Sequence, residues 1–275
     1  MRKPTPPQTA YDQKPMVSAL VRGMAILRAF RPHGGPLGNQ ELAERTGIPR
    51  ATVSRMAHTL AELGYLNHDP RTERFELGGG VLTLGYAAMT NLNVVQLAEP
   101  LMRSFASDSG ATVGIGTREH DHMVFLGVSL GSASVTMRAQ PGTRVPIATT
   151  AMGRAYLSLL DSEDRNLLCE RLKAQDPQDW RDHRAQIDTA LNGIAARGFC
   201  VSMGEWQQDL NSVAAPIRTP AAIGRYVIVC GGPASRMSAD SLGASFGPGI
   251  AGIADQIARA VGADAAAPDG VAGQT

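Results

Sequence analysis

Residues 40–77 constrain the fold of this chain more than any other stretch. They have the pattern of two short helices that meet at a tight turn, in which the apolar Leu42 packs inward. Gly47 permits a left-handed C-terminal cap on the first helix, and Ile48 is placed to fill the corner. Because Pro49 suits the first turn of a helix, the second helix is predicted to begin at about that residue.

The second helix of this pair is predicted to have two chemically different faces. At about 100° per residue, the side that faces the core is apolar and consists of Val53, Met56, Ala57, Leu60 and Leu63. The opposite side is small, hydroxylic and cationic, and it consists of Arg50, Ala51, Ser54, Arg55 and His58. Such a face fits a DNA major groove, because it offers donors to guanine edges and phosphates without bulk that blocks entry. Gln40 and Thr52 complete the helical residues that we predict to contact DNA.

A basic hairpin is predicted to follow this helix. Gly64 ends the helix, and residues 65–67 and 74–77 have the pattern of two short strands around a turn. A hairpin in this position is a wing, and Arg71 and Arg74 are placed to reach backbone phosphates. The plain alternative is a surface helix pair that binds nothing, but the order of helix pair, wing and basic residues favours DNA binding.

The charge distribution agrees with this interpretation. Residues 1–90 carry 11 Lys/Arg and 7 Asp/Glu, whereas residues 91–275 carry 15 Lys/Arg and 18 Asp/Glu. The N-terminal excess is modest, but its sign is that of a nucleic-acid binder. The larger part has no basic bias and is predicted to make no contact with DNA. A chain of 275 residues is long enough for two domains.

The cysteines and the apolar runs indicate where the protein works. Cys169, Cys200 and Cys230 lie about thirty residues apart, which is neither a disulfide framework nor a metal spacing. Each is predicted to be a small buried hydrophobe in a reducing compartment. No run of about twenty apolar residues predicts a membrane span, and the N-terminus lacks an apolar signal core. We therefore expect a cytoplasmic protein that needs no cofactor and no membrane.

The predicted elements divide the chain into five segments. These are a disordered arm at 1–17, a winged helix-turn-helix domain at 18–78, a linker helix at 79–93, a larger domain at 94–262 and a disordered tail at 263–275. The first helix is predicted to start with Ser18 as its N-cap and to run to about Phe30. The glycines at 78–80 are expected to loosen the angle between the two domains.

The larger domain alternates strands and helices, which predicts an α+β fold with a mostly antiparallel sheet. Strands are predicted at 112–117, 122–129, 134–139, 199–202, 212–217 and 225–231, and helices at 94–109, from about 150, at 162–172, 183–197 and 250–261. The helix that opens at about Thr150 presents free N–H groups and the positive end of its dipole, so it can hold a carboxylate.

Several short motifs follow one another along residues 18–262. They are Arg22-Gly-Met-Ala-Ile-Leu-Arg-Ala-Phe, Leu42-Ala-Glu-Arg-Thr-Gly-Ile-Pro-Arg-Ala-Thr-Val-Ser-Arg, Leu63-Gly-Tyr-Leu, Gly142-Thr-Arg-Val-Pro-Ile, Thr150-Ala-Met-Gly-Arg-Ala, Val213-Ala-Ala-Pro-Ile and Gly231-Gly-Pro-Ala-Ser-Arg. In this order and spacing, the chain resembles the IclR (isocitrate-lyase regulator) family of bacterial transcription factors. The resemblance implies a winged helix-turn-helix domain, a linker helix and a GAF-like effector-binding domain.

The resemblance also implies a pocket for a small organic effector. The matching positions are Ala151, Met152 and Gly153 at a helix start, Ser202 after one strand, and Ser212, Val229 and Gly231 on two paired strands. The family often has an acid where Ser202 stands and a cysteine where Ser212 stands. The pocket is therefore expected to be neutral and partly apolar, which favours an aromatic acid or phenol over a tiny hydrophilic acid. A purely structural role remains open for several of these residues, and Glu205 is interpreted as an acceptor that fixes the fold.

Three other classes of function are less favoured. Gly243-Ala-Ser-Phe-Gly matches the pattern of a serine hydrolase with Ser245 as nucleophile, but no apolar strand precedes it and no histidine follows it. His120 and His122 suggest a metal site, yet further ligands are not signalled. A DNA-packaging protein would carry more Lys/Arg and would need no sensor domain.

The sequence therefore predicts a ligand-responsive transcriptional regulator of a catabolic operon. Family resemblance favours a repressor, with an activator as the alternative. The expected partners are double-stranded operator DNA and a small-molecule effector. Because one winged domain reads few base pairs, a homodimer on a pseudo-palindromic operator is expected, and the resemblance implies that dimers often pair into tetramers.

Overall fold

The computed structural model describes residues 16–31, 34–90, 93–132, 139–220 and 222–266, and the structural statements below concern these residues. The chain divides into two compact units, and the division falls between residues 90 and 93. The predicted arm at 1–17 lies outside the described residues except for its last two. The predicted tail lies outside them from residue 267 onward, but residues 263–266 still belong to the last helix.

The N-terminal unit is a winged helix-turn-helix fold, as predicted. Its elements in chain order are α1 (Ser18–Arg28), β1 (Leu37–Gly38), α2 (Asn39–Thr46), α3 (Arg50–Glu62), β2 (Leu66–Asp69), β3 (Arg74–Leu77) and α4 (Gly79–Thr90). The three strands form an antiparallel sheet in the order β1-β3-β2. The sequence missed β1, which is only two residues long.

The corner between α2 and α3 forms as predicted. Gly47 adopts φ of +69° and donates its N–H to the carbonyl of Ala43 at 2.9 Å, which caps α2. Ile48 is buried beneath the corner, and Pro49 is the N-cap of α3. The turn therefore fixes the direction of α3 relative to α2.

Two details of the helical prediction are wrong. Val17, rather than Ser18, is the N-cap of α1, and no side chain caps that helix. Leu63, which helical spacing placed on the apolar side of α3, is largely exposed because α3 already ends at Glu62 and the backbone changes direction at Gly64. The core of the unit consists of Ile26, Leu37, Leu42, Ile48, Val53, Ala57, Leu66 and Phe75.

The glycines at the start of α4 serve close packing. A Cβ atom on Gly78 would lie 2.5 Å from the carbonyl oxygen of Gly64, and one on Gly80 would lie 2.9 Å from the same atom. The N–H of Gly80 donates to that oxygen at 3.0 Å, and the N–H of Gly78 donates to the carbonyl of Tyr65 at 2.9 Å. Within this unit Gly78 and Gly80 therefore pack closely against the chain just after α3, and the predicted looseness of the angle between the domains stays a prediction.

The C-terminal unit has helices on both faces of one antiparallel sheet, which confirms the α+β prediction. Its elements are α5 (Asn93–Ser109), β4 (Thr112–Glu119), β5 (His122–Ser129), β6 (Arg144–Pro146), α6 (Ala151–Leu157), α7 (Ser162–Gln175), α8 (Pro177–Arg197), β7 (Cys200–Met203), β8 (Leu210–Ile217), β9 (Tyr226–Pro233), α9 (Ala239–Ser241), a π-helical turn (Leu242–Phe246) and α10 (Gly247–Ala266). The strand order is β6-β5-β4-β9-β8-β7.

The alternation of side chains along β9 shows how the sheet separates two cores. Val227 and Val229 belong to the core beneath α6, α7 and α8, whereas Ile228 and Cys230 belong to the core beneath α5 and α10. Because successive residues of a strand point to opposite faces, one strand serves both cores.

Several predicted boundaries in this unit differ from the structure. The strand predicted at 134–139 falls almost entirely on residues 133–138, which lie outside the described residues. The helix predicted from 183 begins earlier, at Pro177, where the carboxylate of Asp176 accepts the N–H groups of Gln178 and Asp179. Because the first turns of α8 are mostly polar, apolar periodicity did not predict that the helix starts there. The last helix runs beyond 261, to Ala266.

Candidate nucleic-acid interface and effector cavity

The predicted DNA-contacting face of α3 lies on the surface of the N-terminal unit. Arg50, Ala51, Arg55 and His58 are exposed, and Thr52 and Ser54 are half-buried at its edge. The apolar side of the same helix buries Val53 and Ala57 in the core. Gln40 is exposed on α2, where its amide donates to Glu44 at 2.8 Å.

Arg71 stands at the tip of the wing. Asp69 shapes the turn, because its carboxylate accepts the hydroxyl of Thr72 at 2.7 Å and the N–H of Arg71 at 2.9 Å. These two hydrogen bonds, in that order, hold the pKa of Asp69 below its ordinary value. Glu73 completes the turn with φ of +54°. The side chain of Arg71 is thereby presented to solvent on a well-defined turn.

Arg74 braces the wing against α2. Its guanidinium lies 3.1 Å from the carboxylate of Glu41 and donates to the carbonyl of Pro36 at 2.7 Å. Glu41 also accepts the N–H of Gly38 at 2.8 Å, and this bond is the main reason why its pKa lies below the ordinary value, with the charges of Arg74 and Arg45 adding to it. Arg74 thus has a partner within the unit while it stays partly exposed, and the phosphate contact predicted for it stays a prediction.

His58 points toward the wing. Its ring centroid lies 5.3 Å from that of His68 and 6.2 Å from that of Phe75, and His68 stacks on Phe75 at 4.6 Å. The imidazole therefore contacts the hairpin that supports α3, and the base contact predicted for this exposed residue stays a prediction.

The C-terminal unit contains a small cavity on the α6 side of the sheet. Its lining residues come from β5, β6, α6, β7, β8, β9 and the loop between β7 and β8, and they are Phe125, Val145, Thr150, Met152, Ser202, Trp206, Leu210, Ser212 and Val229. Four of them, Met152, Ser202, Ser212 and Val229, were predicted from the sequence. The free volume is about 20 Å³, which is room for about one water molecule.

Three predicted pocket residues do not line this cavity. Ala151 is buried, and its carbonyl accepts the thiol of Cys200 at 3.4 Å. Gly153 lies so close to Ile147 that a Cβ atom would overlap the backbone of that residue. Gly231 is enclosed in the sheet between its register partners, Thr112 and Ser212. Close backbone packing therefore explains Gly153, for which a purely structural role had remained open.

The other five lining residues were not predicted to form part of the pocket wall. Phe125, Val145, Leu210 and Trp206 are ordinary apolar residues in the sequence, and only the strand register brings them together. Thr150 was recognised as a helix start but not as part of the wall. Its hydroxyl accepts the N–H of Gly153 at 3.1 Å and donates to the carbonyl of Pro146 at 2.6 Å.

The wall of the cavity is neutral. Its polar groups are the hydroxyls of Thr150, Ser202 and Ser212, and the Ser202 hydroxyl donates to the carbonyl of Thr149 at 2.9 Å. The remaining lining residues are apolar or aromatic. A neutral, aromatic-bearing wall with three hydroxyls matches the composition that was expected for this pocket.

A buried ion pair holds the segments beside the cavity. Arg154 is only 1% exposed, and its guanidinium donates to Glu205 through both terminal nitrogens, one of them at 2.9 Å. Its Nε donates to the carbonyl of Ala148 at 2.8 Å. This geometry confirms the interpretation of Glu205 as an acceptor that fixes the fold.

The structure offers no support for a catalytic or metal site among the residues it describes. Ser245 lies exposed in the π-helical turn, and the nearest preceding strand, β9, ends at Pro233. No group of three or more His, Cys, Asp or Glu side chains is arranged to hold a metal within the described ranges. Burial raises the pKa of the Cys200 and Cys230 thiols to about 12, so both stay neutral, while Cys169 is half-buried.

Among the helices of the described residues, none is long and apolar enough to cross a bilayer.

Both units of the chain match family models of known proteins. The model of the IclR helix-turn-helix domain matches residues 19–70, and that of the bacterial transcriptional regulator IclR C-terminal domain matches residues 86–259. The HTH-type transcriptional regulator TsaQ1/TsaQ2 of Comamonas testosteroni is 33% identical over 248 residues, which cover 90% of this chain and 89% of that protein.

Two solved structures extend the comparison. The crystal structure of an IclR family transcriptional regulator from Brucella abortus is 38% identical, with a TM-score of 0.82 and coverage of 94% of this chain and 100% of that one. An IclR homologue from Microbacterium hydrocarbonoxydans, solved as a complex with 4-hydroxybenzoate, is 18% identical with a TM-score of 0.72 and coverage of 89% and 99%. The second likeness concerns the fold alone.

Proposed function

Because the chain belongs to the IclR family of DNA-binding transcriptional regulators, we propose that it represses a catabolic operon until an aromatic acid or phenol binds its C-terminal unit. The observation that carries the effector class is the cavity wall, which is apolar and aromatic with three neutral hydroxyls. In this proposal residues 18–78 bind DNA, residues 79–93 link the units, and residues 94–262 bind the effector. The protein acts in the cytoplasm, where its operator lies.

The N-terminal unit supports operator recognition through two kinds of contact. Arg50, Ser54 and Arg55 on α3 are placed to read base edges in the major groove, because they share its solvent-facing side. Arg71 at the wing tip is placed to contact a phosphate, which adds affinity without sequence information. The brace between Arg74 and Glu41 keeps the wing in position for that contact.

Exposed apolar side chains in the N-terminal unit support pairing of two copies. On and next to α1 they are Met16, Val17, Leu20, Val21 and Met24, and on α4 they are Leu82, Leu84 and Tyr86. Clustered apolar surface of this kind marks protein–protein contact. A homodimer with two-fold symmetry would place two copies of α3 on a pseudo-palindromic operator, and two dimers can then form a tetramer.

The C-terminal unit supports an aromatic effector by its chemistry. An aromatic ring gains from contact with Phe125, Trp206 and the aliphatic wall. A phenol can donate to the hydroxyl of Ser202, whose own proton goes to Thr149, and a carboxylate can accept from the hydroxyl of Ser212. A tiny hydrophilic acid would leave most of this wall unused. The complex of the Microbacterium homologue with 4-hydroxybenzoate is an example of such an acid in the same fold. The effector controls transcription only if it binds two conformations of the protein unequally.

Two assays test this proposal on the purified full-length protein. Competition binding compares a fragment from the region upstream of its own gene with scrambled DNA, and a specific regulator prefers its operator by about 10³-fold or more. Thermal unfolding then compares 4-hydroxybenzoate and benzoate with glyoxylate and pyruvate. We expect the aromatic acids to raise the melting temperature and to release the operator. Stabilisation by the small acids alone contradicts the effector class, and equal binding to all DNA contradicts the regulator.

A further inference from the structure

The cavity is too small for the effector that its wall favours. Its free volume of about 20 Å³ accommodates about one water molecule, whereas pockets for small organic ligands have about 300 Å³ or more. A wall residue must therefore move before an aromatic acid enters. The exposure of the lining residues indicates which one.

Eight of the nine lining residues are buried, and Trp206 is the exception. Phe125, Val145, Met152 and Val229 are packed in the core between the sheet and the helices, with exposures of at most 4%. Trp206 is only partly buried and lies in the loop of residues 204–209 between β7 and β8. Among the residues that the structure describes, the indole is thus the part of the wall that separates the cavity from solvent.

The backbone that carries Trp206 is held in place. Gly204 has φ of +66° and donates its N–H to the carbonyl of Leu210 at 3.0 Å, and Leu210 donates its N–H to the carbonyl of Gln207 at 2.9 Å. The neighbouring residue, Glu205, is tied to the buried guanidinium of Arg154. The backbone of this loop is therefore held in place. Opening the cavity then requires rotation of the indole about the side-chain torsions of Trp206.

We propose that Trp206 is the gate of the effector cavity and the residue that selects for a flat aromatic ring. Rotation of the indole toward solvent admits the ligand, and its return stacks the indole on the ligand ring. The ring and a Trp face favour an offset-stacked or edge-to-face arrangement, which a small aliphatic acid cannot offer. This inference rests on the aromatic effector class proposed above, and it adds the residue that enforces it.

Binding measurements on Trp206→Ala and Trp206→Phe test the selection. We expect Trp206→Ala to weaken 4-hydroxybenzoate at least tenfold by calorimetry, while the affinity for glyoxylate and pyruvate stays within twofold. Trp206→Phe keeps a ring at the gate and should restore most of the lost affinity. A merely structural role would weaken all ligands together and would not be rescued by a smaller ring. Thermal unfolding without ligand shows whether each variant is folded.

The two tryptophans of the chain provide a second readout. Trp180 is buried on α8, lies outside the cavity wall and packs near Arg184. In Trp180→Phe, Trp206 is the sole tryptophan, so its fluorescence should change on titration with 4-hydroxybenzoate and saturate at the affinity found by calorimetry. In Trp206→Phe, the remaining fluorescence of Trp180 should stay constant during the same titration.

The outcomes separate this inference from the proposed function. If the wild type binds 4-hydroxybenzoate and Trp206→Ala binds it equally well, Trp206 is not the selecting residue, and the effector class stands. If the wild type binds neither aromatic acid nor phenol, the effector class itself fails, and the role of Trp206 fails with it. A selective loss in Trp206→Ala that Trp206→Phe restores supports both.

Discussion

The face of α3 and the effector cavity are built from the sequence in opposite ways. The α3 face uses residues of one helix, Arg50 to His58, whose spacing alone puts them on one side. The cavity wall combines residues from Phe125 to Val229, carried by seven different segments. A surface site of the first kind is local in sequence, whereas a cavity exists only after the sheet has its register. This is why helical periodicity predicts the first, whereas the four lining residues predicted for the second came from the family resemblance.

The two sites also differ in charge. The α3 face and the wing present arginines to solvent, so they attract a polyanion over a distance, and their binding depends on salt. The cavity wall has no charged residue, and the buried guanidinium of Arg154, two residues after the lining residue Met152, is neutralised by Glu205. In the proposed function, the N-terminal unit selects its DNA by charge and groove contacts, whereas the C-terminal unit selects its effector by shape and ring chemistry.

The largest effect is expected from breaking the buried ion pair of the C-terminal unit. Glu205→Gln leaves the guanidinium of Arg154, which is 1% exposed, without its counter-charge. The loss of one partner of a buried pair costs about 3–5 kcal/mol in the free energy of unfolding. Chemical denaturation should show this loss in the transition of the C-terminal unit, while the N-terminal unit unfolds as in the wild type.

Glu119→Gln is the matched control for that variant. It removes a carboxylate that pairs with the half-exposed Arg144 at 2.7 Å, and exposed pairs contribute about 1 kcal/mol or less. Equal destabilisation by Glu119→Gln and Glu205→Gln would show that the burial of Arg154 is not what makes its pair important.

The next effect concerns a glycine that the sequence assigned to the pocket. Gly153→Ala places a Cβ atom on the backbone of Ile147, which cannot move as a side-chain tip can. Overpacking of this kind costs about 1–3 kcal/mol, and calorimetric unfolding of the C-terminal unit measures it. Gly252→Ala on α10 is the control, because a Cβ atom there meets nothing within 4 Å and alanine stabilises a helix by about 0.5–1 kcal/mol over glycine. If Gly153→Ala leaves the free energy of unfolding unchanged, Gly153 becomes a candidate ligand contact again.

The third prediction separates base reading from phosphate contact in the N-terminal unit. Arg55→Ala should reduce the preference for the operator over random DNA by a factor that corresponds to about 1–3 kcal/mol. Arg71→Ala should weaken binding to all DNA alike and lower the salt slope of log K by about one. Competition assays at several salt concentrations measure both. Uniform loss across sequences with Arg55→Ala would contradict its assignment to a base edge.

The contrast between the two sites also explains what the sequence could and could not predict. The cap at Gly47 and the outer face of α3 depend on neighbours within one or two turns, so the sequence predicted them correctly. The partner of Arg74 is Glu41, which is more than thirty positions away, and only the β1–β3 pairing brings them together. The cavity role of Trp206 depends on a loop folding back onto the helix at Thr150. Periodicity therefore cannot predict which side chains from different elements become partners.

The smallest expected effect is an acid-dependent loss of stability in the N-terminal unit. The folded state lowers the pKa of Glu41 and of Asp69 below their ordinary values of 4.5 and 3.8. A carboxyl with a lowered folded pKa stabilises the fold above its unfolded pKa, and this contribution disappears as the pH falls through the folded value. Thermal unfolding between pH 6 and 3 should therefore show a decline that begins below about pH 4.5.

Two substitutions decide which contact causes that decline. The hydrogen bond from the Gly38 N–H is the main cause of the lowered pKa of Glu41, and the charge of Arg74 is a smaller one. Glu41→Gln should therefore remove the part of the acid dependence that Glu41 contributes and leave that of Asp69, whereas Arg74→Ala should keep most of both and lower stability slightly at neutral pH. If Arg74→Ala reduces the acid dependence as much as Glu41→Gln does, the ion pair with Arg74 lowers the pKa of Glu41 more than the backbone hydrogen bond from Gly38 does. The wing would then be held to α2 by charge, and its position would respond to salt as the DNA contacts do.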